Sequence, residues 1–179
     1  YDWADMETKA SEAGVDGFVR KPIFKSTLEQ IVRQYVLHTE AVRRPECAET
    51  PILAGKRILL VEDNLINQEI VKELLEQTGA AVDAAYNGRE GADRYASMED
   101  GYYDLILMDI QMPVMNGYEA TRLIRGMNRR DAGSIPIFAM TADAFAEDIA
   151  MARQAGMDRH LSKPIDAVSL MQEITRVLI

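Results

Sequence analysis

Short apolar runs alternate five times with segments of helical periodicity between residues 56 and 179. The runs are five or six residues long, and all but the last are mostly apolar: RILLV (57–61), AVDAA (81–85), DLILM (104–108), IPIFAM (135–140) and DRHLS (158–162). Strands of this length separated by helices are typical of a parallel sheet covered on both faces. We therefore predict an α/β domain with a doubly wound, five-stranded parallel sheet.

The segments between and after these runs predict five helices. They are NQEIVKELLEQTG (67–79), GREGADRYASM (88–98), GYEATRLIRGM (117–127), FAEDIAMARQAG (145–156) and residues 166–178. In the first segment, Val71, Leu74 and Leu75 recur at the spacing that places apolar side chains on one helix face. Gly79 is expected to end this helix, and Asp166 to cap the last one.

The sequence also contains an internal repeat. AGVDGFVRKPI (13–23) matches AGMDRHLSKPI (155–165) at a constant offset of 142 residues, and the match extends both ways without a gap. Residues 1–38 therefore correspond to the C-terminal part of a second copy, which predicts helix, strand and helix. Residues 39–55 contain two prolines and mixed charges, and are predicted to link this part to the complete unit at 56–179.

The partial copy lacks the strands that would cover its apolar side chains, among them Phe18. Uncovered strand edges and apolar faces favour association with another chain. We therefore expect self-association through residues 1–38 or disorder of this segment, and no phosphate chemistry from it.

Composition narrows the classes of function. The 179 residues include 20 basic and 29 acidic side chains, and the net charge of −9 disfavours binding to nucleic acid. No stretch approaches the roughly 18 to 20 apolar residues of a membrane span, so we expect no direct membrane contact. One cysteine and two histidines disfavour disulfides and zinc sites. We therefore expect a reducing, cytoplasmic location for this chain. A membrane-anchored parent protein is compatible with this location.

Polar residues follow four of the predicted strands. Glu62 and Asp63 follow the first strand, Asp109 the third, Thr141 the fourth and Lys163 the fifth. Because open parallel sheets bind ligands beyond the carboxyl ends of their strands, these side chains are expected to meet at one edge. Clustered carboxylates favour an oxygen-liganded cation such as Mg2+, and a nucleophilic carboxylate beside a hydroxyl and an ammonium suits a phosphoryl group. The sequence therefore predicts a phosphoryl-transfer site.

These positions lie in motifs that resemble those of the response regulator receiver domains of two-component signalling. The motifs are LVEDN (60–64), LILMDIQMPVMNG (105–117), FAMTA (138–142) and HLSKPI (160–165), in that order. The resemblance covers residues 56–179 and implies a flavodoxin-like (βα)5 fold with strand order 2-1-3-4-5. It also implies that residues 1–38 are the end of a truncated first receiver.

The resemblance implies a role for each site residue. Asp109 would be the phosphoacceptor. Mg2+ would be the cofactor, held by four residues: Asp63, Asp109, the backbone carbonyl of Gln111, and Glu62 through water. Thr141 and Lys163 would contact the phosphoryl oxygens, in a domain that catalyses its own phosphorylation and dephosphorylation.

Other family positions are expected to modulate this site. Thr141, His160 and Pro164 occupy the places of the family's conformational switch, where His160 replaces the usual aromatic residue. A cis bond is implied before Pro164. Considered by itself, His160 is interpreted as a packed ring rather than a pH sensor. Gln111 and Asp143 would flank the phosphoryl group and tune the rate of its hydrolysis.

Ile66 and Ile70 widen the apolar stripe of the first helix beyond what burial against the sheet requires. Two interpretations remain open. The pair is either surplus core packing or a docking face for a partner that carries the phosphoryl group. That partner would be a histidine phosphotransfer domain or the phosphohistidine of a kinase.

Several alternatives concern the whole protein and its chemistry. VEDNLINQEI, DIQMPVMNGYEATRLIR and MDRHLSKPI resemble receivers of hybrid sensor histidine kinases, and a response regulator with several receivers is the alternative host. A Mg2+ phosphohydrolase of the haloacid-dehalogenase type would need a second acid two residues after the nucleophile, where this chain has Gln111. A pseudo-receiver would lack an acid, the threonine or the lysine, and this chain has all of them.

Overall fold

The computed structural model describes residues 52–142 and 146–179, which form alternating strands and helices. The elements are β1 (Arg57–Val61), α1 (Leu65–Glu76), β2 (Ala81–Ala85), α2 (Gly88–Ser97), β3 (Leu105–Asp109), α3 (Gly117–Arg125), β4 (Ile137–Thr141), α4 (Ala146–Ala155), β5 (Arg159–Ser162) and α5 (Ala167–Leu178). The strands are all parallel, in the order β2-β1-β3-β4-β5. The predicted doubly wound fold is confirmed. Within the described ranges, no helix has the length and apolar character needed to cross a bilayer.

Some predictions concern residues outside the described ranges. They are the helix, strand and helix of residues 1–38 with their self-association, the linker up to residue 51, and the position of Asp143. Within the rest of the predicted linker, Leu53 is fully buried in the domain core. Its backbone N–H donates to the Thr78 carbonyl at 2.9 Å, so this part of the chain packs against the complete domain.

The hydrophobic core lies on both faces of the sheet. Successive residues of a strand point to opposite faces, so Ile58 and Leu60 of β1 pack on one side while Leu59 and Val61 pack on the other. One face is covered mainly by α1 and α5, and the other by α2 and α3. Every residue of β3 and β4 is buried. Both faces of the central strands are therefore covered.

The observed boundaries differ slightly from the predicted ones. β3 includes Asp109, because this residue is still paired with Met140 in β4. β4 begins at Ile137 rather than residue 135, because the amide of Ile135 is used in a turn, donating to the Asp131 carbonyl at 2.8 Å. α1 spans Leu65–Glu76 rather than 67–79, since the side chain of Asn64 caps it two residues earlier.

Arg129 connects the loop after α3 to the C-terminal end of α2. Its guanidinium donates to the backbone carbonyls of Tyr95, Met98 and Glu99, and to both carboxylate oxygens of Asp131. Only 12% of the Arg129 side chain is exposed. A cation at this place satisfies the carbonyls that a helix leaves free at its C-terminus. Arg129 therefore joins the loop after α3 to the C-terminal end of α2.

Candidate functional site

Three carboxylates meet at the carboxyl edge of the sheet, as the sequence predicts. Each of Glu62, Asp63 and Asp109 has a carboxylate oxygen within 4.8 Å of one in the other two. The strands that carry them are neighbours, with Val61 of β1 in register with Met108 of β3. Glu62 and Asp109 are 1% and 4% exposed, whereas Asp63 faces solvent. The acidic pair is therefore not simply an exposed turn.

A single ammonium lies between the two buried carboxylates. Lys163 Nζ is 2.7 Å from Asp109 Oδ2 and 2.7 Å from Glu62 Oε2. The peptide bond between Lys163 and Pro164 is cis. The amide of Lys163 donates to the carbonyl of Thr141 at 2.7 Å, which connects it to the end of β4. Thr141 is buried at the carboxyl end of β4, so β4 and β5 bring Thr141 and Lys163 to the edge that carries the acids.

Burial and charge act in opposite directions on the pKa values at this edge. Burial raises the pKa of Asp109, the hydrogen bond from Lys163 lowers it and the charge of Glu62 raises it, with a net upward shift. Burial by itself would lower the pKa of Lys163, but the carboxylates of Asp109 and Glu62 raise it overall. The ammonium is therefore charged throughout the neutral range.

Two side chains of α1 hold Glu62. Asn67 Nδ2 donates to Glu62 Oε1 at 2.9 Å. Gln68 Nε2 donates to the backbone carbonyls of Glu62 and Ala85, at 3.0 and 3.1 Å. The sequence analysis does not predict either contact. The available signal is position: Asn67 and Gln68 lie in the first turn of α1, five and six residues after Glu62.

The loop after Asp109 is packed tightly against the acceptor strand. The Gln111 amide donates to Asp109 Oδ1 at 3.2 Å, and the Gly117 amide to the Ile110 carbonyl at 3.0 Å. A Cβ on Gly117 would lie 2.2 Å from the carbonyl oxygen of Asp109, so only glycine permits this approach. Asn116 caps α3 in a capping box with Glu119. This loop thereby fixes the backbone around Asp109.

The remaining predicted residues have mixed outcomes. His160 is exposed on β5, so its interpretation as a packed ring is wrong. Gln111 and Pro164 are both exposed. Ile66 is 72% exposed, which excludes core packing for this side chain, whereas Ile70 is half-buried.

The donor set fits a magnesium ion. Mg2+ prefers hard oxygen ligands and is usually bound by one or two carboxylates together with water and phosphate oxygens. Three carboxylates and one ammonium carry a formal charge of −2, which one divalent cation neutralises. The exposure of Asp63 leaves the cluster open to solvent, as a metal that keeps bound waters requires.

The parallel sheet and the acidic cluster at its carboxyl edge define the class: a flavodoxin-like α/β domain with a site suited to a divalent cation. A family model described as the response regulator receiver domain matches residues 58–175. The chain therefore belongs to the response regulator receiver domain family, and its function lies in phosphorelay signalling.

Similar proteins include a plant histidine kinase and a bacterial sensor protein. Probable histidine kinase 2 of Oryza sativa is 39% identical over 133 residues, which cover 68% of this chain and 13% of the kinase. The sensor protein GacS of Pseudomonas syringae is 40% identical over 121 residues, which cover 67% of this chain and 13% of that protein. The chain thus spans about an eighth of each.

Two solved structures have similar folds. The receiver domain of a Pseudomonas aeruginosa sensor histidine kinase, with a magnesium ion coordinated in its active site cleft, is 37% identical, with a TM-score of 0.63 over 70% of this chain and 98% of that one. A co-crystal structure contains the Saccharomyces cerevisiae histidine phosphotransfer protein Ypd1 and the receiver domain of the response regulator Ssk1. The match there is 31% identical, with a TM-score of 0.64 over 70% of this chain and 90% of that one.

Proposed function

We propose that the domain accepts a phosphoryl group from a phosphohistidine onto Asp109. The observation that carries the proposal is the environment of this carboxylate. Asp109 is buried at the end of β3, between the Gln111 amide and the Lys163 ammonium, with Glu62 and Asp63 beside it. A carboxylate in this position is a nucleophile whose product, an acyl phosphate, would be surrounded by groups that bind its oxygens.

The chain's own residues account for most of the reaction. An oxygen of Asp109 attacks the phosphorus, the bond between phosphorus and the imidazole nitrogen breaks, and the leaving imidazole retains the bonding electrons and takes up a proton. Lys163, now 2.7 Å from Oδ2 of Asp109, would bind an oxygen of the phosphoryl group joined there. The Thr141 hydroxyl at the end of β4 would donate to another oxygen.

Magnesium would be held by Asp63, Asp109 and the Gln111 carbonyl, with Glu62 acting through a bound water. When bound, the ion supplies positive charge that neutralises the carboxylates and the incoming phosphoryl oxygens. This assignment is supported by the three carboxylates within 4.8 Å of one another and by the magnesium ion in the similar Pseudomonas aeruginosa domain.

Mg2+-dependent phosphorylation tests the proposal. The protein is incubated with acetyl phosphate, a small phosphodonor, with and without Mg2+, and its intact mass is measured. We expect one phosphoryl group per chain with Mg2+ and little or none in EDTA. Equal modification under both conditions, or no modification under either, would contradict a metal-dependent acceptor.

We further propose that the partner is a histidine phosphotransfer domain or the phosphohistidine of a kinase, docking beside the first turn of α1. Leu65 and Ile66 are 61% and 72% exposed there, close to the acidic pair in sequence and in space. Contiguous exposed apolar side chains around a polar site favour protein binding. Ile70, half-buried one turn later, would extend this surface. The complex of Ypd1 with the similar Ssk1 receiver supports this class of partner.

Replacing Ile66 by glutamate is expected to slow phosphotransfer from such a partner by about tenfold or more, because the change puts a charge into an apolar contact. Phosphorylation by acetyl phosphate should stay unchanged, since the substitution leaves Glu62, Asp63, Asp109 and Lys163 in place. The measurement is the rate of transfer from a phosphorylated histidine phosphotransfer domain. Ile179→Glu, at an equally exposed isoleucine (74%) at the far end of the chain, is the control. Equal transfer rates for both variants would contradict the docking surface.

Gln111 is proposed to slow hydrolysis of the phosphoryl group, since its backbone amide donates to Asp109 and its exposed side chain is long enough to cover the approach of water. Gln111→Ala is expected to accelerate loss of phosphate by about three- to tenfold, a change of roughly 1 kcal/mol in barrier. The backbone amide and carbonyl remain in place. Asp143 is proposed to act at the same step, and Asp143→Ala is measured in parallel. Gln154→Ala, at an exposed glutamine on α4, is the control and should lose phosphate at the wild-type rate. A wild-type rate for Gln111→Ala would contradict the proposed role of its side chain.

We propose that the domain is part of a hybrid sensor histidine kinase. The kinase would lie in the cytoplasm, or would be anchored in a membrane with this receiver on the cytoplasmic side. The similar kinases of Oryza sativa and the GacS sensor support this context. A response regulator with several receivers is the alternative. A histidine-bearing dimerisation helix and an ATP-binding domain upstream of this sequence would identify a kinase. A haloacid-dehalogenase-type hydrolase is disfavoured because Gln111 stands where that chemistry needs an acid.

A further inference from the structure

Glu62 is the least exposed residue of the acidic cluster, and each of its side-chain and carbonyl oxygens lies beside a different group. Asn67 Nδ2 donates to Oε1 at 2.9 Å, and Lys163 Nζ lies 2.7 Å from Oε2. The backbone carbonyl accepts from Gln68 Nε2 at 3.0 Å. The carboxylate is thus oriented by one contact on each oxygen, and only one of these comes from the phosphoryl-binding lysine.

Asn67 and Gln68 fix different parts of Glu62. Gln68 is 3% exposed and also donates to the carbonyl of Ala85, so it holds the backbone where β1 and β2 end. Asn67 is half-buried and donates to the carboxylate itself. Its amide binds Oε1 and thereby keeps Oε2 turned toward Lys163, at the centre of the site.

The first turn of α1 determines where Asn67 projects. The side chain of Asn64 accepts from the backbone amides of Ile66 and Asn67, at 3.0 and 3.2 Å. This cap starts the helix directly after the acidic pair, so residue 67 faces back over the end of β1. Helix stability gives no reason for asparagine at this position, because alanine is the better helix former by several tenths of a kcal/mol.

We propose that Asn67 is a positioning residue that sets the affinity of the acidic cluster for Mg2+, by holding the Glu62 carboxylate in the orientation observed here. The inference rests on the function proposed above, since it assumes that the cluster binds the metal. A hydrogen-bond donor behind a metal-binding carboxylate fixes the direction of its lone pairs. Loss of such a partner typically weakens metal binding by about 10- to 100-fold.

The test measures Mg2+ binding without any phosphodonor. The dissociation constant for Mg2+ is determined by isothermal titration calorimetry on the full chain, as wild type, Asn67→Ala and Gln77→Ala. Gln77 is the matched control, because its amide also donates to a carboxylate, that of Glu73 at 3.3 Å, but at the distant exposed end of α1. The midpoint of thermal unfolding is recorded in EDTA for each protein.

Asn67→Ala is expected to raise the dissociation constant for Mg2+ by about tenfold. Its unfolding midpoint in EDTA should equal or slightly exceed that of the wild type, since alanine favours the helix. The Mg2+ concentration needed for phosphorylation by acetyl phosphate should rise by the same factor. Gln77→Ala should leave the dissociation constant unchanged.

A dissociation constant for Asn67→Ala within twofold of the wild-type value would overturn the inference and leave the proposed function intact. A weaker constant accompanied by a clearly lower unfolding midpoint in EDTA would also overturn it, since the residue would then act on the fold. Failure of the proposed function has a different signature: the wild type would bind no Mg2+, or Asp63→Asn would bind it equally well.

Discussion

Replacing Lys163 by methionine is expected to slow phosphorylation of Asp109 by about 100- to 1,000-fold, the usual cost of losing one group that stabilises transition-state charge. The ammonium lies 2.7 Å from Asp109 Oδ2, where the oxygens of an incoming phosphoryl group would gather. Methionine fills a similar volume without a charge. The measurement is the rate of phosphorylation by acetyl phosphate at saturating Mg2+.

The same substitution should lower the free energy of unfolding in EDTA by about 3 kcal/mol, because it leaves two buried carboxylates without a cation. The pKa of Lys163 is raised in the folded state, so its contribution to stability is complete below the ordinary lysine pKa and disappears only as pH rises beyond it. Lys72→Met is the control, since Lys72 forms an exposed ion pair with Glu76 at 3.9 Å. If both variants behave alike, Lys163 has no special role.

Replacing Arg129 by alanine is expected to lower the free energy of unfolding by about 3 to 4 kcal/mol, which corresponds to a midpoint about 10 °C lower. The guanidinium donates to backbone carbonyls at and just after the end of α2, and pairs with Asp131. Its loss leaves these acceptors without their donor in a partly buried setting. The measurement is chemical and thermal unfolding in EDTA.

The effect of Arg129→Ala should depend on pH. Burial favours the neutral form of Asp131, but hydrogen bonds from Arg129 and the Gly101 amide hold the pKa of Asp131 at about 2. A carboxyl with a depressed pKa contributes stability above its ordinary value of about 3.9, and loses it as pH falls through the folded-state value. The difference in free energy of unfolding between Arg129→Ala and the wild type should therefore become smaller as the pH falls towards 2. Arg89→Ala removes an exposed ion pair between Arg89 and Asp93 within α2, and it should have little effect on the free energy of unfolding at any pH. A loss no larger than that of Arg89→Ala would refute the capping role of Arg129.

The arrangement of the site was largely predictable because the topology of a parallel sheet brings the ends of its strands to one edge. Asp63 and Asp109 each follow a recognisable apolar run, and Lys163 follows the last predicted strand, so their convergence needed no knowledge of side-chain contacts. Asp166 was likewise identified as a cap from its place before a helical segment, and its side chain accepts from the amides of Val168 and Ser169.

The supporting contacts were not predictable in the same way. The bond from Asn67 to Glu62 depends on the rotation of α1 about its axis, and the Asn64 cap starts this helix two residues earlier than predicted. The contacts of Arg129 join it to residues about 30 positions away, and no local pattern marks them. His160 was misjudged because β5 is an edge strand, on which Leu161 faces the core and His160 faces solvent.

Identification of the phosphorylated residue tests the central claim most directly. The protein is phosphorylated with acetyl phosphate and Mg2+, the acyl phosphate is trapped by borohydride reduction, and the modified residue is located by mass spectrometry. The proposed function predicts modification at Asp109 alone, and none in Asp109→Asn, which keeps the shape of the side chain but removes its nucleophile. Modification at another residue of the wild type, or modification that persists in Asp109→Asn, would contradict it.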